Sequence, residues 1–134
     1  MAFDIKDASG EYRVMDTAIP FAHALMEAGI PYAKEIWELL DVTGYDPNYD
    51  YFKEEKYKTA NQRIVSQGFK ETRHRLMNKI LNRTKIRQVI SLGSGFNPGM
   101  LEFIDNNKDA KCIERQIKSA ISLMKLVARD MPND

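Results

Sequence analysis

Metal-binding side chains are scarce in this sequence: one cysteine, Cys112, and two histidines, His23 and His74, among 134 residues. A single thiol allows no internal disulfide and no cysteine-based zinc cluster, which suits a reducing cytoplasm. Net charge is equally small. Lys and Arg number 20 against 19 acids, a formal +1, so no global field draws the chain to nucleic acid or to an anionic membrane. No apolar run approaches membrane-spanning length, and the opening Met1-Ala2-Phe3-Asp4-Ile5-Lys6-Asp7 has no apolar signal core. Internal repeats and low-complexity tracts are lacking too. What is present is 43% hydrophobic and 29% charged, the balance of a folded domain with a modest core.

Within that composition one stretch stands out, Gln88-Val89-Ile90-Ser91-Leu92-Gly93-Ser94-Gly95-Phe96-Asn97-Pro98-Gly99. Val89, Ile90 and Leu92 suit a strand covered on both faces, because such strands read as apolar runs. Gly93 and Gly95 then let the backbone turn sharply and approach a ligand with no Cβ in the way. The third glycine of the dinucleotide fingerprint and the Gly-Lys-Ser/Thr of a P-loop are both missing, so no phosphate cradle is supported. Two readings remain. One is a methyltransferase-type turn beneath the amino-acid part of S-adenosylmethionine, and the other is an ordinary strand-to-helix turn of an α/β protein.

The flanking sequence is helical in pattern. Residues 1–13 are polar and predict a loose arm. From Val14 the apolar residues Val14, Ala18, Phe21, Leu25 and Ala28 recur at helical spacing up to Gly29, with Thr17 as N-cap and Pro20 in the first turn. Pro31 opens a second helix that buries Ile36, Trp37, Leu39 and Leu40 and stops at Thr43-Gly44. His23, alone beside an apolar stripe, reads as a structural residue. In Tyr45-Asp46-Pro47-Asn48-Tyr49-Asp50-Tyr51 the residues Asp46, Asn48 and Asp50 have the one-three-five spacing of a calcium loop, but Tyr51 replaces the glycine and Tyr57 the glutamate, which rejects calcium. The tyrosines are expected to pack the loop onto the domain, or else to border a substrate pocket.

Residues 52–81 predict one long helix, or two broken near Gly68. Phe69, Leu76, Met77, Ile80 and Leu81 make one apolar face, expected to meet the core, and Arg73 projects from its middle. An arginine so placed needs an anionic partner, from the protein or a ligand, unless it snorkels at the stripe's edge. Residues 70–87 hold seven cations against Glu71, yet these surround the helix without interleaved aromatics, and a solvated face is the better reading than a nucleic-acid surface. After the glycines, Pro98 starts a helix through Ile104 that ends at Asn106-Asn107. Ala110 to Ile113 reads as a second strand, with Glu114 near the place where an acid meets ribose hydroxyls. Ile117, Ile121, Met124 and Val127 mark a last amphipathic helix before Pro132.

Asp16-Thr17-Ala18-Ile19-Pro20, Glu71-Thr72-Arg73-His74-Arg75 and above all Arg87 to Asn97 resemble the amino-terminal part of the leucine carboxyl methyltransferase-like family of class I S-adenosylmethionine-dependent methyltransferases. The resemblance covers residues from about Val14 to Ile113. It implies a helix-rich α/β fold: a helical leader over residues 14–87, then the start of a Rossmann-like methyltransferase sheet, one or two parallel strands, over 88–134. It implies an O-methyltransferase-like activity, by in-line attack on the sulfonium methyl. Arg73 becomes the clamp on the methionine carboxylate, and Gly93, Ser94, Gly95, Asn97 and Glu114 become cofactor-binding residues. Asn97, Gly99 and Gln116 depart from the family pattern, and no general base is assigned. A sheet this small has a bare edge, which invites a second copy or a partner chain to complete it. The alternative is a non-catalytic helical interaction module derived from a truncated methyltransferase.

Overall fold

Proline lacks an N–H, and in the first helix it sits where that loss is harmless: Pro20 lies in the first turn of α1 (Ile19–Glu27). The computed structural model describes residues 3–13, 16–85, 87–92, 95–109 and 111–115. A 3-10 turn over Asp16–Ala18 leads into α1. Thr17 therefore belongs to that turn and is not the expected N-cap; Ala18 holds the place and has no side-chain acceptor to offer. Gly29 ends the helix at φ 68°, and the Ile30 N–H returns to the Leu25 carbonyl at 3.1 Å. The second helix, α2 (Ala33–Glu38), is shorter than expected because Tyr32 adopts a left-handed φ of 65° just before it. It buries Ala33 and Ile36, while Leu39, expected inside, is exposed.

Ile19, Ala22, Ile36, Phe96 and Leu101 form the main core, with Phe3 and Trp37 packed against it. Phe96 and Leu101 come from beyond Gly95, so this core joins the helical leader to the segment that follows it. Ile5 is fully buried, and Lys6 bridges Tyr12, so residues 3–13 are packed where a loose arm was expected. The tyrosine loop folds as a short antiparallel pair, β1 (Tyr49–Asp50) with β2 (Glu55–Lys56).

One continuous helix, α3 (Ala60–Arg83), follows, capped by the Thr59 hydroxyl accepting from the Gln62 N–H at 3.2 Å. Gly68 does not break it. Its orientation corrects the sequence expectation. The face turned to the body is polar, with His74 and Asn78 buried and Arg63, Gln67 and Lys70 partly so, while Val65, Phe69, Leu76, Met77 and Ile80 are exposed. The reason is pairing: α1 presents Glu27, whose carboxylate accepts from Arg63 (2.7 Å) and Gln67, and the Phe21 ring lies 5.4 Å from the Lys70 ammonium. An inward face can be polar when most of its polar groups find partners, Arg63 Nε and Asn78 Nδ2 being left without one.

β3 (Gln88–Leu92) then runs through the glycine turn to α4 (Gly99–Asn106) and on to β4 (Lys111–Arg115). The two strands pair in parallel, Gln88 opposite Lys111 and Leu92 opposite Arg115. The fold is helix-rich α/β. The amphipathic pattern over 117–127 lies outside the described residues.

Candidate functional site at the β3–α4 turn

Ligands of open parallel α/β units bind outside the carboxyl ends of the strands, where strand gives way to helix. Here that place is the turn between β3 and α4. Gly93 and Ser94 lie outside the described residues. Gly95 has φ 64°, and an added Cβ would stand 2.7 Å from the Ala18 Cβ, so glycine is required by both backbone conformation and packing. That contact ties the turn to the 3-10 segment before α1. Glu114 is the penultimate residue of β4, opposite Ser91, and so lies at the same carboxyl end of the strand pair.

Asn97 turns inward. Its Oδ1 accepts from the Gly99 N–H at 2.8 Å, fixing the first turn of α4, and lies 3.1 Å from His74 Nδ1. His74 Nε2 is 3.0 Å from Glu102 Oε2. Both ring nitrogens thus lie within hydrogen-bond distance of side-chain oxygens. Asn78 is buried one turn further along α3, and its Nδ2 has no hydrogen-bond partner. This cluster holds the glycine turn against α3. The sequence reading assigned no role to His74, Asn78 or Glu102. The signal was present in the 63, 67, 70, 74, 78 spacing of polar residues, which is as regular as the apolar spacing beside it.

The expected site residues are therefore only partly brought together. Gly95 and Asn97 share the turn, and Glu114 lies on the neighbouring strand. Arg73 is exposed on the outward face of α3, whereas the turn packs on the inward face through His74. Its supposed place on a core-facing stripe is corrected, and with it the argument that burial demands an anion. Asn97 Oδ1 is already engaged within the protein.

A second cluster surrounds the tyrosine loop. Tyr45 and Tyr51 stack at 5.2 Å, Phe3 meets both edge-on, and His23 packs against Trp37 and Tyr45. The Asp46 N–H donates to the Tyr51 hydroxyl at 2.7 Å. Packing, as the first of the two expectations had it, is what the tyrosines do; the cavity they share with Gln67 and Lys70 holds about 10 Å³, room for a single water. An open groove of about 650 Å³ between residues 3–10 and this loop includes no residue of the β3–α4 turn.

Burial raises the Tyr45 phenol above its ordinary value, as it does that of Tyr51, and lowers the His23 imidazole. The folded state thus keeps the two phenols protonated above about pH 10, where the unfolded chain loses those protons. Stability should fall as pH rises past that point. It should also fall as pH drops below about 6.5, where the unfolded chain protonates His23 and the folded chain resists. Urea unfolding across pH checks both limbs, and Tyr45→Phe should make the alkaline limb shallower, leaving the share of Tyr51.

Compared with protein-family models, with curated proteins and with solved structures, the chain matches none of them.

Proposed function

We propose that this chain is the amino-terminal, cofactor-binding part of an S-adenosylmethionine-dependent methyltransferase of the O-methyltransferase type. The observation that carries the reading is the order strand, glycine turn, helix, parallel strand from Gln88 to Arg115, with an acid one residue from the end of the second strand. The turn is poorly suited to a phosphate, which leaves room for a part of a cofactor that carries none, such as a zwitterionic amino-acid moiety. Asn97 already takes the Gly99 N–H, which removes one donor that a phosphate would use at the start of α4.

In this reading Gly95 and the backbone leaving β3 form the floor of the cofactor site, and Glu114 accepts hydrogen bonds from the ribose hydroxyls. The bound cofactor supplies an electrophilic methyl group on a sulfonium sulfur. The protein's share is then positioning, since in-line displacement needs aligned partners more than proton transfer. His74 and Asn97 act at one remove, holding the turn in place. Arg73 is left out of this site, because it rests on resemblance alone and faces outward.

Calorimetric titration of the full chain with S-adenosylmethionine and S-adenosylhomocysteine tests the proposal. Saturable binding is expected, and Glu114→Gln should weaken it by about tenfold, the worth of one hydrogen bond to a charged group. Absence of binding by folded protein, or an unchanged affinity in Glu114→Gln, would overturn it.

A further inference from the structure

Independently of any cofactor, α3 presents a surface that needs an explanation. Val65, Phe69, Leu76 and Ile80 follow one another at spacings of four, seven and four residues, with Met77 beside them, and all are exposed: Val65 and Phe69 are each 71% accessible and Leu76 is 55%. From Val65 to Ile80 the ridge is about 22 Å long at the rise of an α-helix. Continuous exposed apolar patches mark interaction sites, whereas single exposed apolar residues do not.

The charges around the ridge say what kind of partner fits. Arg73 lies within it, exposed and in no described ion pair; Lys79 and Arg83 border it and are exposed as well. The nearest acid on the helix, Glu71, is already held by the Arg75 Nε at 2.7 Å. This face is thus apolar and cationic, with no free carboxylate of its own. A second copy would set Arg73 and its neighbours against like charges. Residues 116–134 carry Lys118, Lys125 and Arg129 before their acids Asp130 and Asp134, again the wrong sign along the ridge. A membrane-surface helix keeps its cations on the polar face, not in the midst of the apolar one.

We propose that the outward face of α3 docks an amphipathic helix of another protein, one whose apolar ridge is flanked by carboxylates that reach Arg73, Lys79 and Arg83. A straight ridge spaced by threes and fours packs into the grooves of a second helix. Arg73, near the middle, is the contact that sets register, since a central arginine surrounded by apolar contacts is the usual anchor of such an interface.

The probe is a fluorescein-labelled synthetic amphipathic helix of about six turns, leucine on one face with glutamate beside it, and the same peptide with lysine for glutamate. Anisotropy with the full chain should show saturable binding of the glutamate peptide only. Arg73→Glu should weaken that binding by about tenfold or more and confer binding of the lysine peptide. Arg73 is on the surface, so the fold is retained in the variant, which circular dichroism checks. The proposal is overturned if the glutamate peptide does not bind, if both peptides bind alike, or if Arg73→Glu changes nothing. It is also overturned if the chain instead sediments with phosphatidylserine vesicles, or forms a dimer that Leu76→Glu dissociates.

Discussion

Gly95→Ala is expected to lower the stability of the chain by about 3 kcal/mol, read as a fall in the urea midpoint at constant slope. Two costs combine. The position has φ 64°, where an L-residue with a Cβ is strained by about 1 kcal/mol or more. The new methyl would also stand 2.7 Å from the Ala18 Cβ, too close for two carbons without a backbone shift. The costs are separable. In Ala18→Gly the opposing methyl is gone, so adding Gly95→Ala to it should cost only the backbone strain. Equal losses in both backgrounds would mean that Ala18 does not pack on the turn, and that the leader does not position it.

The second large effect belongs to His74→Leu. His74 is 5% exposed and links α3 to both Asn97 and Glu102. Leucine fills much the same space but takes away the ring nitrogen that faces the Glu102 carboxylate, while the Asn97 oxygen keeps the Gly99 N–H. Losing a hydrogen bond to a carboxylate in a partly shielded place costs about 2 kcal/mol. A second variant separates pairing from packing. His74→Leu combined with Glu102→Leu should recover part of the loss, because no unpaired carboxylate remains. If the double variant is no better than the single one, the contact between His74 and Glu102 is not what holds α4 against α3.

Much of this architecture was legible in the sequence. Pro20, Gly29 and Pro98 marked helix boundaries because each imposes a backbone constraint that tertiary packing rarely overrides. β3 and α4 could be read from Val89, Ile90 and the periodicity of Leu101 and Ile104 beyond the glycines. The orientation of α3 could not. Sequence periodicity identifies two faces, and the usual assumption sends the apolar one inward. That assumption failed because Glu27, Phe21, Asn97 and Glu102 lie far away in sequence and together supply partners for a polar stripe. The same cause hid the site's support. His74 stood next to the residue singled out for the cofactor, Arg73, yet one residue along a helix is a rotation of about 100°. Gly95 was read as making room for a ligand, and its nearest neighbour is Ala18.

The central claim is that the turn after β3 binds S-adenosylmethionine, and amide chemical shifts test it most directly, because they report where a ligand sits as well as whether it binds. On titration of the full chain, the account predicts saturable shifts at Ser91, Leu92, Gly95, Phe96 and Glu114, with Phe69, Arg73 and Leu76 on the outward face of α3 unmoved. Shifts that cluster around Arg73 and spare the turn, or no saturable shift in a folded sample, would contradict it.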